Sequence, residues 1–467
     1  MAGGVIENRT FGEIAPGDSA TLSRTLTRAD IELFAIVSGD VNPSHLDETY
    51  AATDLFRHVV AHGMWGGALI SAVLGTELPG PGTIYRAQNL RFHCPVGIGD
   101  TLTVSVTARE KRPEHRVIVF DCRCVNQDGA VVIDGSAEVI APAERVRRPR
   151  SELPDIQLRR HDSYRHLMSA CADRPAVPTA VAHPCDVPSL TAAIDAAQAG
   201  LIVPILIGPE AKIRAAAGAA GIDLAPFRVV DVPHSHAAAA EAVRLARAGE
   251  VAALMKGSLH TDELMHEVAG GALGLRTTRR ISHAYVMDVP TYPKPLIITD
   301  AAINISPSLE DKRDICQNAI DLARTLGVAQ PLVAILAAVE TVSAKMPSTL
   351  DAAALCKMAE RRQITGGVLD GPLAFDNAVD PAAAATKGIV SAVAGRADIL
   401  LVPDLEAGNM LAKQLSFLAG ADAAGIVLGA RVPIILTSRA DSVRTRMASC
   451  AVAVILASAQ AARAADG

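Results

Sequence analysis

From Leu90 to Ile140 apolar and polar residues alternate in short stretches, among them Leu102-Thr103-Val104-Ser105-Val106 and Val117-Ile118-Val119-Phe120-Asp121-Cys122-Arg123-Cys124. A period of two predicts strands with one face covered, and Gln127-Asp128-Gly129 supplies a hairpin turn between two of them. Ahead of this sheet, His62 to Leu78 carries no proline and is largely apolar, which predicts a helix buried on most sides. From Ala176 onward the pattern changes. Continuous apolar runs at Ile202–Gly208, Ala253–Gly257, Leu296–Asp300, Leu332–Leu336 and Ile399–Pro403 are separated by Ala-rich stretches such as Glu210 to Ala220. Apolar strands alternating with helices predict a parallel sheet covered on both faces. Ligands in such sheets sit beyond the carboxyl ends of the strands, where Lys256-Gly257-Ser258, Thr299-Asp300 and Pro403-Asp404 fall.

Between these patterns, Ala143 to Ser151 is rich in Arg and Pro and poor in apolar residues, so it reads as a solvated linker. The expected division is therefore an α+β domain over 1–142, a linker over 143–160 and an α/β domain over 161–467. A length of 467 residues agrees, since single cores stop growing at roughly 250–300 residues. With a net charge of −6 and 3% aromatic residues the chain has little to attract or stack nucleic acid, which is not expected as a partner. No apolar leader precedes Phe11, and the apolar run Met447 to Ala457 is shorter than the roughly 18 residues of a membrane span. A cytoplasmic protein with no membrane partner is the expectation. The eight cysteines lack paired Cys-x-x-Cys spacing and read as reduced thiols. His234 and His236 share a face if the segment is a strand, but without a third ligand nearby they read as a surface turn, and no metal site is expected.

Candidate chemistry appears first in Ser38-Gly39-Asp40-Val41-Asn42-Pro43-Ser44-His45, where a carboxylate and an imidazole flank an Asn-Pro turn. Two such groups aimed at one water make a candidate general acid/base pair, although taken alone an Asp near a His is more often a turn with a capping residue. Downstream, His62-Gly63-Met64 opens the buried helix, whose first N–H groups lack intrahelical partners, and Gly63 leaves room for a thioester oxygen to approach them. The string Asp40, Asn42, Pro43, His45, Phe56 and His62-Gly63-Met64 resembles the MaoC-like (R)-specific enoyl-CoA hydratases of the hot-dog fold, over about residues 8–142. That resemblance implies that Asp40 and His45 hold the water added to a trans-2-enoyl-CoA. It further implies that the Gly63 amide polarises the thioester, that Asn42 and His62 serve substrate binding, and that the module dimerises. For His62 a capping or packing role stands equally open.

A second set of segments lies in fixed order: Met255-Lys256-Gly257-Ser258, Thr299-Asp300-Ala301-Ala302-Ile303-Asn304, Asp370-Gly371-Pro372, Pro403-Asp404-Leu405-Glu406-Ala407-Gly408-Asn409 and Thr437-Ser438-Arg439-Ala440-Asp441-Ser442. Together they resemble the phosphate acetyl/butyryltransferase family over roughly residues 163–460, with Thr-Ser-Arg-Ala-Asp-Ser closer to its butyryl branch. The implied architecture is an α/β parallel-sheet domain of two subdomains with a cleft. The implied chemistry is acyl exchange between coenzyme A and phosphate. A planar guanidinium suits Arg439 to clamping phosphate, and Ser438 is placed to donate to it or to the acyl carbonyl. Lys256, Ser258, Asp300, Asn304, Asp404, Asn409 and Asp441 are the candidate binding residues. The acetyl branch places a base for the CoA thiol at the position of Thr445, and Asp441 is the nearest carboxylate. Expected partners are acyl-CoA, CoA and phosphate, with no tightly bound cofactor, in a homo-oligomer built on dimers. A non-catalytic acyl-CoA-binding second domain, or a thioesterase or scaffold as the first, are the competing readings.

Overall fold

The computed structural model describes residues 4–466, apart from 155, 157, 159–161 and 438–440. The chain forms two compact units, Met1–Leu158 and Arg159–Gly467. In the first unit the elements are β1 (Val5–Glu7), β2 (Ser19–Thr25), α1 (Arg28–Ser38), α2 (Pro43–Leu46), α3 (Glu48–Ala51), α4 (Gly63–Thr76), β3 (Ile84–Phe92), β4 (Thr101–Arg112), β5 (Val117–Val125), β6 (Val131–Ile140) and β7 (Arg147–Pro149). Five strands form one antiparallel sheet in the order β2-β4-β5-β6-β3. Their alternate residues, Leu102, Val104 and Val106 on β4 and Phe120, Cys122 and Cys124 on β5, turn inward onto α4. That helix buries Ile70, Val73 and Leu74 completely, each stabilising the unit by about 1.5–3 kcal/mol of transfer from water. This sheet wrapped on a buried helix is the hot-dog arrangement.

The expected linker is shorter than its composition implied. Residues 147–149 pair antiparallel with β1, the Val146 N–H donates to Asn8 Oδ1 at 2.8 Å, Arg145 bridges Glu7 and Glu13, and Arg150 meets Glu77 at 3.0 Å. The arginine-rich stretch is held instead by backbone pairing with β1 and by the carboxylates of Glu7, Glu13 and Glu77, partners far off in sequence. The division of the chain falls between Leu158 and Arg159.

The second unit runs α5 (Asp162–Cys171), β8 (Val177–Ala182), α6 (Val187–Gln198), β9 (Ile202–Gly208), α7 (Glu210–Ala220), β10 (Arg228–Asp231), α8 (Ser235–Arg247), β11 (Ala253–Lys256), α9 (Thr261–Ala269), β12 (Ser282–Asp288), β13 (Leu296–Thr299), α10 (Leu309–Thr325) and β14 (Leu332–Leu336). It continues with α11 (Pro347–Glu360), β15 (Val368–Leu373), α12 (Phe375–Val379), α13 (Pro381–Thr386), β16 (Ile399–Leu401), α14 (Leu405–Leu418), β17 (Asp422–Leu428), β18 (Ile434–Ile435) and α15 (Val443–Asp466). One sheet of eleven strands is built in the order β10-β9-β8-β11-β18-β17-β12-β13-β16-β14-β15. It is mixed rather than wholly parallel: β12 runs antiparallel to both β13 and β17, and β17 runs antiparallel to β18. Direction depends on the connection and not on apolar content, so the pattern of runs did not disclose this.

Helices α6, α7, α10, α11 and α15 cover one whole face and share a single core with Val181, Met255, Ala284, Ile297, Ile399 and Ile426. The opposite face is covered in two separate patches, by α8 and α9 at one end and by α12, α13 and α14 at the other. By strand alternation, Gly425 on β17 and His283 and Tyr285 on β12 lie on the strip between the patches. The apolar run ending at Ala457 is part of a longer helix: Val443–Arg463 is long and apolar enough to cross a membrane, and 67% of its apolar window is buried in this unit. It is the central helix of the shared core. His234 and His236 belong to a helix start, not a strand, with His234 Nδ1 accepting from the Ala237 N–H at 3.1 Å.

Candidate active sites

In the first unit, local signals aim Asp40 and His45 at one place. Helix α1 starts on a Thr27/Asp30 capping box and stops at Gly39, whose φ of 74° is the left-handed conformation that glycine adopts without strain. The chain turns there into Asp40. Asn42 then caps α2 by accepting from the Ser44 N–H at 3.2 Å, with Pro43 at the first helical position, and His45 falls in the last turn. His45 Nδ1 lies 2.8 Å from the Val60 carbonyl oxygen. A carbonyl only accepts, so Nδ1 carries the proton and Nε2 keeps its lone pair free. His62 Nε2 lies 3.0 Å from the Asp40 carbonyl oxygen, which by the same reasoning makes Nε2 its protonated nitrogen. The two imidazoles stack with centroids 3.9 Å apart, and ligand-type atoms of Asp40, His45 and His62 lie within 4.8 Å of one another.

Asp40 is exposed, His45 half-buried and His62 buried. His62 is the residue before α4 but makes no side-chain cap, so the first N–H groups of that helix, from Gly63 on, have no side-chain acceptor. His62 therefore does not cap the helix; its ring packs on His45 and is tied to the Asp40 carbonyl. A side chain at Gly63 would meet the Phe92 ring at 3.3 Å. Asn42 acts here as a helix cap. The arrangement thus offers a carboxylate, an imidazole with a free lone pair and an uncapped helix start in one place, which suits proton transfer beside a carbonyl that gains negative charge.

The second unit holds three polar clusters, two of them built on residues singled out from the sequence. Beyond the end of β11, Ser258 Oγ donates to the His183 carbonyl at 2.8 Å and lies 3.0 Å from His183 Nδ1. Lys256 Nζ is 3.4 Å from the Gly257 carbonyl, and Gly257 itself runs so close to the Ala182 and His183 backbone that a side chain would clash there. Burial, then Lys212, holds His183 below the ordinary imidazole range. In the second cluster Asp300 is buried and accepts from the N–H groups of Ala302, Ile303 and Asn304 and from Asn304 Nδ2 at 2.5 Å. Its carboxyl is pushed up by desolvation, which these donors and the His283 N–H oppose. Asn304 in turn accepts from Arg280 Nε at 2.7 Å, and Asn409 Nδ2 donates to the Ala301 carbonyl at 3.1 Å.

The third cluster lies on the strip between the helix patches. His283 is fully buried with neither ring nitrogen hydrogen-bonded, its pKa pushed down to about 3 by burial, and its ring meets Tyr285 edge-on at 4.5 Å. Burial, and after it the charge of Asp441, raises Tyr285 to about 12. Asp404 is the N-cap of α14, accepting from the Ala407 N–H at 2.9 Å. Thr445 is tied into the first turn of α15 by Ser442 Oγ, which accepts its N–H at 3.1 Å. Ser438 and Arg439 lie outside the described residues. His183, Arg280, His283 and Tyr285 were missed by sequence reasoning. The signal for the last two is a His and a Tyr at alternate positions of an otherwise apolar strand.

Fold and sites together define a hot-dog unit in which Asp40 and His45 converge, followed by an α/β unit with polar clusters at its strand ends and on one face of its sheet. A family model described as MaoC like domain matches residues 14–126, and one described as phosphate acetyl/butaryl transferase matches residues 234–454. A phosphate acetyltransferase from Rhizobium meliloti is 69% identical over 293 residues, 63% of this chain and 92% of that protein. A phosphate butyryltransferase from Clostridium acetobutylicum is 41% identical, over 60% of this chain and 92% of that protein. A branched-chain phosphotransacylase of solved structure from Enterococcus faecalis is similar with a TM-score of 0.54 and 28% identity, over 60% of this chain and 99% of that one. The chain belongs to the phosphate acetyl/butyryltransferase family and carries a MaoC-like domain at its N-terminal end. Relatives named for acetyl transfer and for butyryl transfer both match this part of the chain, and the highest of these identities is to a protein named for acetyl transfer.

Proposed function

We propose that the chain is a bifunctional acyl-CoA enzyme. Its second unit exchanges an acyl group between coenzyme A and phosphate: the CoA sulfur, as thiolate, attacks the carbonyl of an acyl phosphate, the C–O bond to phosphate breaks, and phosphate leaves. Family membership and the high identity to phosphate acetyltransferases support that half. Its first unit adds water to a trans-2-enoyl-CoA. His45 Nε2 takes a proton from a water that Asp40 also holds, the oxygen bonds to Cβ, charge moves to the thioester oxygen at the Gly63 N–H, and a proton returns to Cα. The observation that carries this half is the convergence of Asp40 and His45 within 4.8 Å beside the uncapped start of α4. The (R) configuration of the 3-hydroxyacyl product follows the hydratases the motif resembles.

Two copies would pair along β3, the last strand of the hot-dog sheet, most of whose residues are exposed, including Ile84 and Phe92. The test is direct. Crotonyl-CoA should lose its enone absorbance without release of free thiol, and butyryl or acetyl phosphate with CoA should yield a new thioester. Free thiol from crotonyl-CoA would make the first unit a thioesterase instead.

A further inference from the structure

On the face of the second unit's sheet away from the three polar clusters, a cavity of about 340 Å3 opens between α10, α15, the loop 277–279 and the end of β17. Its apolar part is made by Leu322, Leu428 and Leu456, all buried. Two guanidinium groups stand at its polar side. Arg279 is held in place by an ion pair with Asp321, which neutralises it, whereas Arg463, in the last turn of α15, has no ion pair among the described residues. One uncompensated cation above an apolar pocket of this size suits a small monoanion with a short aliphatic tail.

The wall of this cavity is wired to the polar cluster around Asp300. Asn318 lines it, and its Nδ2 donates to the Arg280 carbonyl and to Ser282 Oγ, each at 2.9 Å. Arg280 Nε donates to Asn304 Oδ1, and Asn304 Nδ2 donates to the Asp300 carboxylate. Thr277, at the cavity's edge, donates its hydroxyl to the Gly429 carbonyl at 2.7 Å, on the strand end that follows Gly425. A ligand held by Arg463 against Asn318 therefore bears on the Arg280 carbonyl, and the links onward from Arg280 are hydrogen bonds to the buried Asn304 and Asp300. We propose that this cavity is an effector site for a short-chain monocarboxylate and that its occupancy alters acyl transfer through Arg280, Asn304 and Asp300. The proposal rests on the acyl-transfer reading in one respect: an acyl phosphate that passes on its phosphoryl group, or is hydrolysed, leaves such a carboxylate, so the effector would report product accumulation.

The experiment uses the intact chain with sodium butyrate as probe and its neutral methyl ester as control. Calorimetric titration should show saturable binding of butyrate and none of the ester, and Arg463→Gln should weaken butyrate binding at least tenfold. Ala459→Phe, which fills the cavity from α15, should abolish binding while acyl transfer without butyrate stays within twofold of the parent. In the parent, butyrate should change the acyl-transfer rate in a way that saturating CoA and phosphate do not reverse. Binding that survives Ala459→Phe, or an effect fully relieved by phosphate, would place butyrate elsewhere and overturn the proposal. Absence of saturable binding would also overturn it, and because calorimetry needs no turnover, that result is distinct from failure of acyl transfer itself.

Discussion

Asp40 and His45 owe their meeting to short-range chemistry, and the cost of removing either should be confined to the first unit. Asp40→Asn or His45→Ala should lower enoyl-CoA hydration by about 100-fold or more, the usual scale of an acid/base group, with acyl transfer unchanged. Near-normal hydration in both variants would remove them from the mechanism. His62→Phe retains a ring against His45 but loses the hydrogen bond to the Asp40 carbonyl, so hydration should fall by roughly fivefold, in keeping with about 1 kcal/mol for one bond. His283 makes a prediction about pH. Its folded-state pKa is depressed to about 3 from the ordinary 6.5, so the unfolded chain takes up the proton first. Its contribution to stability is present above about 6.5 and is lost as pH falls toward 3, by up to about 1.4 kcal/mol per pH unit. His283→Phe replaces two unbonded buried nitrogens with hydrocarbon and should flatten this dependence. Thermal melting between pH 7 and 4 decides it: parallel curves for parent and variant would show that His283 is not the acid-sensitive group.

Among the elements, the strand ends of the second unit depend on close backbone approach. A Cβ at Gly257 would lie 2.5 Å from the His183 carbonyl oxygen and also run into that of Ala182, both backbone atoms that move only if β8 and β11 separate. Gly257→Ala should therefore destabilise this unit by about 2–4 kcal/mol, as overpacking and strain do at buried positions. Acyl transfer should drop and hydration stay intact. Unchanged melting and unchanged transfer would mean that the turn after β11 has slack the geometry does not suggest. The apolar runs disclosed β9, β11, β13, β14 and β16 because a strand covered on both faces needs little else in its sequence. They did not disclose β12 or β17, where His283, Tyr285 and Gly425 interrupt the apolar pattern facing the strip between the helix patches.

Across the whole molecule, the position of the division is the most testable consequence. A chain ending at Leu158 keeps β7 against β1 and the carboxylate partners of Arg145 and Arg150, whereas one ending at Glu144 loses them. Counting about 1 kcal/mol for each of the three bonds that join the Asn8 N–H to Val146, the Val146 N–H to Asn8 and the Arg150 N–H to Gly4, and nothing for the exposed ion pairs, the shorter fragment should melt roughly 5–10 °C lower. Equal melting temperatures would mean that the segment after Glu144 adds nothing to the first unit. The longer fragment should still hydrate enoyl-CoA, and its mass in solution should double that of one copy if β3 pairs between copies.

Much of the protein was legible in its residues alone. The hot-dog sheet, its buried helix and the Asp40/His45 pair depend on period-two alternation, a glycine in the left-handed conformation and an Asn-Pro cap, all contained within a few residues of one another. The order of motifs in the second unit likewise pointed to its family. What only tertiary structure decided involves partners distant in sequence. Arg145 to Arg150 looked like a free linker because their carboxylates lie more than seventy residues away or at the other end of the domain. Asp404 and Asn42, read as ligand residues, cap helices in the structure, a partnership that a lone polar side chain does not reveal in advance. His62 became a tether for Asp40, and Asp300 the hub of a buried network with Arg280, for the same reason: backbone hydrogen bonding is a local property, whereas the partner of a side chain is chosen by packing.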